Sequence, residues 1–501
     1  MGCIFSSDAD DGGPLEAPVQ SSEVFAFVPG LREPKQSEIA VNLKGKVSPA
    51  LATKLISLRS QIISLSGRNG SLAKTKLRAK SIDDDTSHLN LEKALNEYLP
   101  VLLGLVVGGE KLSSAVKFPW TNVVDAKKDT AIASGYYELL SVLHLLGMLA
   151  LQEANAYLTS KPPADGYYFK VDEGMCFALH PVFAFGRYLS ASLSSHNVSD
   201  ESKRRAIDLL LKAASYFECA IRAVLPNTPD EIKAKLPADV TEAMFRSLEL
   251  QALGQAVELQ LGFAVASVKA SLAVKRRLAC EQVEIWDKVV QKLGSVPLAK
   301  ALRDKHELFV KWKLNEAKAA AYYYHSQVLE EGCEDNVHAQ SLSCMKASHA
   351  FLKGSQKARN EFGNTEPLTK LPIVWGSMKY LSNRIPRETS SKGRIFRDNY
   401  LNEKMPRSPP KLPEFPIALV VDPFSLPSLD PAWMKERGYE ARTSLTPAVP
   451  VYYTLKDQIQ PPVPDLSVVG PMPPPATVTD LHALVSLTSV YDVWWDDVKR
   501  E

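Results

Sequence analysis

Residues 200–225 read DESKRRAIDLLLKAASYFECAIRAVL. Ala206, Leu209, Leu210, Ala213, Phe217, Ala220, Ile221 and Val224 recur at steps of three and four, which places them on one face of a helix. Ser199 stands where an N-cap belongs, Asp200 and Glu201 suit the positive end of the helix dipole, and Pro226 is a stop. The same grammar repeats on either side. Asp239 and Glu242 have the spacing of a capping box ahead of Ala243, Leu248, Leu250, Leu253, Val257 and Leu261. Residues 296–331 carry Leu302, Leu308, Phe309, Trp312, Ala319, Tyr323 and Val328 and run into Gly332, a C-cap residue. Between Ser37 and Lys392 strand-like alternation is scarce, and the helical stretches are joined by short punctuation such as Pro226-Asn227-Thr228-Pro229. The expected fold class is all-α: a bundle, or a TPR-like solenoid of helical hairpins without a regular 34-residue repeat.

Composition bounds the rest. A chain of 501 residues predicts roughly three domains, or one long helical array. With 45% hydrophobic and 23% charged residues it can build a large core. The balance of 59 Lys+Arg against 57 Asp+Glu argues against a dedicated nucleic-acid binder. Six dispersed cysteines without a C-x-x-C pair read as reduced thiols. The apolar stretch 139–151 is interrupted by His144 and is shorter than a membrane span, and the N-terminus lacks the basic and apolar regions of a secretory signal.

The chain opens Met1-Gly2-Cys3-Ile4-Phe5-Ser6, which fits the N-myristoylation pattern M-G-x-x-x-[ST]. One myristoyl chain holds a membrane with an affinity of only about 10⁴ M⁻¹, so a second anchor is needed. The following residues are acidic, with no Lys or Arg before Arg32, which leaves Cys3 as a palmitoylation site. Residues 1–22 are read as a flexible acylated tether. At the other end, 17 of the 34 prolines fall between Pro406 and Pro475. Proline cannot continue a helix, so this part is expected to be extended and to pack on the helical body as a strap.

Several fragments resemble catalytic motifs and fail. In Gly104-Leu-Val-Val-Gly108-Gly109-Glu110-Lys111, Glu110 puts a carboxylate where a phosphate loop needs its lysine. His306-Glu307 starts an H-E-x-x-H, but Val310 replaces the second imidazole. Cys333, His338, Cys344 and His349 are spaced so that residues five apart on one helix diverge by about 140° and cannot meet on one ion. No metal, no cofactor and no enzymatic activity are expected. Lys74, Lys76, Arg78 and Lys80 make a basic segment, and Lys275-Arg276-Arg277 another. Each charge near an anionic bilayer contributes about 1 kcal/mol, so the first is a candidate membrane contact.

The sequence also resembles the BRO-type domain family, Alix-like proteins and the plant endosomal BRO-like proteins in particular. Phe118-Pro119-Trp120 followed by Asp125 is similar to F-x-W-x-x-x-x-D, and Tyr137-Glu138, Val142-Leu143 and Gln152 to Y-E-x-x-x-V-L…Q. Ala213–Phe217 resembles A-x-G-x-F, Gln255-Ala256-Val257-Glu258 resembles Q-A-Q-E, and Arg397–Tyr400 with Met405-Pro406 resembles the segment that closes the domain. The resemblance implies an elongated, boomerang-shaped domain over residues 23–431, with a TPR-like core and a few short strands. Residues 432–501 would be a Pro-rich extension packing on it. It further implies a non-enzymatic adaptor of endosomal sorting that takes the C-terminal helix of CHMP-type ESCRT-III subunits in an apolar groove. By position that groove falls at Leu261, Val274 and Leu278. The expected location is the cytoplasmic face of endosomal or plasma membrane, with a cytosolic pool. The alternatives are a membrane-tethered scaffold for an unrelated client peptide and a lipid- or small-molecule-modifying enzyme with a helical pocket.

Overall fold

The computed structural model describes residues 24–75, 83–123, 129–159, 198–297, 300–332, 336–371, 376–419, 421–436, 439 and 445. Nine long helices dominate them: α1 (Pro49–Thr75), α2 (Asp83–Val107), α3 (Gly135–Leu158), α4 (Asp200–Cys219), α5 (Glu242–Ala266), α6 (Leu272–Gly294), α7 (Lys300–Glu330), α8 (Val337–Asn364) and α9 (Gly376–Asn399). Each packs on the next along the chain, and α9 returns against α5 and α7. One antiparallel hairpin, β1 (Lys117–Thr121) with β2 (Asp129–Ala133), interrupts the series, pairing Phe118 with Ile132 and Trp120 with Thr130. The mostly helical architecture expected from the sequence is present.

Why these residues form these helices follows from their ends and faces. Ser199 caps α4 by accepting from the Ser202 amide at 3.0 Å, and the apolar row from Ala206 to Phe217 is buried. The α-helix ends at Cys219, earlier than the apolar row suggests, because Ala220–Val224 widens into a π-turn that keeps Ile221 and Val224 in the core. The Gly332 amide closes α7 by donating to the Leu329 carbonyl at 3.0 Å. Asp239 departs from its expected capping role: it lies in a 3-10 turn, buried, and Thr241 precedes α5 without a side-chain cap. Its carboxylate is drawn instead to a buried arginine described below.

Helix α3 is buried along most of its length. It is long and apolar enough to cross a membrane, yet 78% of its most apolar window is buried among its neighbours, as befits a core helix. Gly147 lets α4 approach it so closely that a Cβ there would overlap the Phe217 ring. The Trp286 indole makes the same demand of Gly254 on α5.

A segment near the C-terminal end of the described chain docks on α1 and α2. Asp430 donates its amide to the Pro100 carbonyl at 3.1 Å and pairs with Lys54 at 2.5 Å. Trp433 is buried against Gly104 and donates from Nε1 to the Val101 carbonyl at 2.9 Å. The Tyr439 hydroxyl donates to the Gly104 carbonyl at 3.0 Å.

Candidate functional site

Glu138, in the first turn of α3, collects donors from three other elements. Its Oε2 accepts from Trp120 Nε1 of β1 at 2.6 Å, and its Oε1 accepts from Arg59 Nε of α1 at 2.9 Å and the Tyr98 hydroxyl of α2 at 3.1 Å. Arg59 also donates to the Lys35 carbonyl. Beside it Arg32 donates to Ser141 Oγ and the Tyr137 hydroxyl, both at 2.7 Å, and to the Thr121 carbonyl at 3.2 Å. Arg32 faces Asp239 at 3.8 Å, whose carboxylate accepts the Val123 amide at 2.9 Å. The charges balance, two buried cations against two buried anions, which is the condition for keeping them out of water. Burial, reinforced by Glu138, pushes the Tyr98 hydroxyl well above its ordinary pKa. The motif residues Phe118, Trp120, Tyr137 and Glu138 thus converge on a cross-link between elements distant in sequence. The described part of the motif is structural; Asp125 lies outside the described residues.

A second set fastens the N-terminal segment. Asn155 Oδ1 accepts the Phe25 and Ala26 amides at 2.7 and 2.9 Å. Gln255 and Gln251 donate to the Phe25 and Phe27 carbonyls, each at 2.8 Å, and His306 Nε2 donates to Gln251 Oε1 at 2.7 Å. The Phe27 ring stacks on Phe309, centroids 5.1 Å apart. Glu258 holds buried Lys313 at 2.8 Å. Gln255 and Glu258, from the stretch that resembles the Q-A-Q-E signature, therefore work inside the core.

The buried imidazoles give a pH prediction. Burial, with Arg32 adding to it, lowers His144 to about 3, and burial lowers His306 to about 3. Below the unfolded value of about 6.5 the unfolded chain binds two protons that the folded one does not, so stability falls with acid. Glu249 opposes this. Burial raises it to about 7 despite Arg246, so between its unfolded value and pH 7 the folded chain holds the extra proton. Below about pH 4.5 the histidines act unopposed by Glu249, each contributing a slope of about 1.4 kcal/mol per pH unit. Urea midpoints of the wild type and His144→Leu between pH 3.5 and 4.5 are expected to show a shallower pH dependence in the variant; parallel curves would contradict it.

The partner residues read from the sequence are not brought to one surface. Leu261 and Leu278 are buried between helices, a correction to the groove assignment, and Val274 is half-buried. Apolar spacing on a helix marks a packed face, and here both leucines spend that face on their neighbours. Apolar groups that are exposed near the α5–α6 junction are Val268, fully exposed in the connecting turn, and Ala273, exposed in the first turn of α6 beside Val274. Of the basic segment, Lys76, Arg78 and Lys80 lie outside the described residues, as does the side chain of Lys74 near the end of α1. Gly2 and Cys3 lie outside them as well.

A shallow depression between α2, α3 and α4 holds ion pairs rather than free acids and bases: Lys212 with Glu92 at 2.6 Å and Arg205 with Glu153 at 3.9 Å. Among the described residues no group of three His, Cys, Asp or Glu side chains is placed to hold a metal ion. Cys219, Cys280 and Cys344 are buried free thiols, each pushed by burial to about 12 and so unreactive.

No family model matches the chain, and no curated protein matches it in sequence. Among solved structures it is similar to ALIX in complex with the SIVmac239 PYKEVTEDL late domain, at 15% identity and a TM-score of 0.50, over 83% of this chain and 51% of ALIX. It is also similar, at 14% identity and a TM-score of 0.46, to a structure described as the basis for endosomal targeting by the Bro1 domain, over 82% of this chain and 93% of that one. The chain spans about half the length of the ALIX chain it matches. The fold is that of a BRO-type domain.

Proposed function

We propose that the protein is a non-enzymatic adaptor of endosomal sorting, held on the cytoplasmic face of endosomal or plasma membrane by acyl chains on Gly2 and Cys3, where it binds the C-terminal helix of a CHMP-type ESCRT-III subunit. The observation that carries the reading is the BRO-type fold over most of the chain, joined to an opening Met1-Gly2-Cys3 that fits dual acylation. The polar sites support it: the buried carboxylates and cations described above are matched to one another, as a rigid binding scaffold requires. The basic segment Lys74, Lys76, Arg78 and Lys80 would add attraction to anionic headgroups.

The mechanism combines two modest affinities. Two acyl chains give stable attachment where one does not. Confinement to the membrane plane then raises the effective concentration of the domain for a partner on the same bilayer. The partner would lay the apolar face of an amphipathic helix on the α5–α6 edge around Val268 and Val274. Gly2→Ala is expected to move the protein from the membrane pellet to the soluble fraction, and Val274→Asp to weaken binding of a fluorescent CHMP-type C-terminal helix by about tenfold or more. Unchanged fractionation would refute the anchor. Unchanged anisotropy with Val274→Asp would refute the docking edge, and no binding to the wild type would favour a scaffold for another client.

A further inference from the structure

We propose that Ser48 is a phosphorylation site for a proline-directed serine kinase, and that its phosphate releases the segment Asp430–Glu436 from α1 and α2. Ser48 stands at the N-terminal boundary of α1, in the run Lys44-Gly45-Lys46-Val47-Ser48-Pro49. Lys44, Gly45, Lys46 and Pro49 are exposed and Ser48 is half-buried. The serine does two things at once. Its Oγ accepts the Leu51 amide at 3.3 Å, capping the helix. It also donates from that hydroxyl to one oxygen of Glu436 while its own amide donates to the other at 2.9 Å. Glu436 directly follows the 3-10 turn Trp433–Lys435, whose Trp433 is buried on Gly104 and whose Met434 points outward, 76% exposed. The segment is therefore pinned near its ends by Lys54–Asp430 and Ser48–Glu436, with Trp433 between.

A phosphate on Ser48 keeps the first role and destroys the second. A helix N-terminus welcomes an anion, and a phosphate oxygen can accept the Leu51 amide as the hydroxyl does. Against Glu436 the exchange replaces an O–H donor with a group of about −1.5 to −2 charge, so attraction becomes repulsion. The carboxylate is on the single-turn segment, which Trp433 and the Lys54–Asp430 pair otherwise hold, and the repulsion opposes its docking. In the chemical step, Ser48 Oγ attacks the γ-phosphorus of ATP, the Oγ–P bond forms, the bond to the β-phosphate oxygen breaks, ADP departs and the hydroxyl proton passes to the kinase's base. Because Glu436 occupies the hydroxyl in the docked state, the kinase acts on the undocked state. Docking and phosphorylation then exclude each other, a reciprocal coupling.

The test uses the full chain, a proline-directed serine/threonine kinase and ATP, with occupancy of Ser48 read by mass spectrometry and docking read by the rate of tryptic cleavage after Lys435. Phosphorylated protein and Ser48→Glu are expected to be cut about tenfold faster than unmodified protein. Glu436→Gln, which removes the repelling charge, should blunt the effect of phosphorylation, and Trp433→Ala should be phosphorylated faster than the wild type. Incorporation at Ser48 with an unchanged cleavage rate overturns the proposal. So does equal release in Glu436→Gln, or a Ser48 that stays unmodified even in Trp433→Ala.

Discussion

Glu138→Ala is expected to lower the stability of the domain by about 3–5 kcal/mol, the usual consequence of leaving a buried charge without its partner. The carboxylate is the acceptor for Arg59, Tyr98 and Trp120 together, and it lies 1% exposed at the junction of α1, α2, α3 and β1. Its loss strands the Arg59 guanidinium beside the Phe118 ring, 5.3 Å from the centroid, where water does not compensate. The urea midpoint measures the loss. Glu138→Gln separates charge from shape, since the amide fills the same space but carries no charge. Removing both partners, as in Arg59→Met with Glu138→Leu, is expected to cost less than the sum of the single changes, because no orphan charge remains. A Glu138→Ala stability within about 1 kcal/mol of the wild type would mean that the cross-link contributes little.

Gly147→Val is expected to cost about 3 kcal/mol, the upper end of ordinary overpacking. A Cβ at this position would run into the Phe217 ring, and that ring has no room to retreat: His144 and Phe245 lie 6.5 and 6.2 Å away, centroid to centroid. Valine has a somewhat higher helix propensity than glycine, so the expected loss comes from the clash alone. The diagnostic is rescue. Phe217→Leu, destabilising alone, should recover part of the loss in the Gly147→Val background, and no recovery would place the cost elsewhere than at the α3–α4 contact.

The helical body was legible because its signals are local. Ser199, Asp200 and the row from Ala206 to Phe217 specify α4 from within 20 residues or so, and each does in the structure what the spacing implies. Asp239 was misread for the opposite reason. Its spacing to Glu242 satisfies a capping box, but Arg32 and the Val123 amide, far away in sequence, bind the carboxylate more usefully. The cross-link at Glu138 has the same character, with Arg59 and Tyr98 separated from it by 79 and 40 positions. Leu261 and Leu278 show the other limit. Periodicity tells that a face is apolar and cannot tell whether another helix of the same chain or a separate molecule covers it; α5 is buried on almost every side, so its leucines offered no contrast to read.

The way Phe25–Phe27 is sewn in has a mechanical corollary. These residues are gripped by Asn155, Gln251 and Gln255, so tension applied to the amino end is borne where α3, α5 and α7 meet rather than by an edge that could fray. A molecule moored by its first residues would pull on its own keel. Shortening the chain to cut that mooring must stop ahead of Val24, since a cut a few positions further in would remove the ballast with the rope.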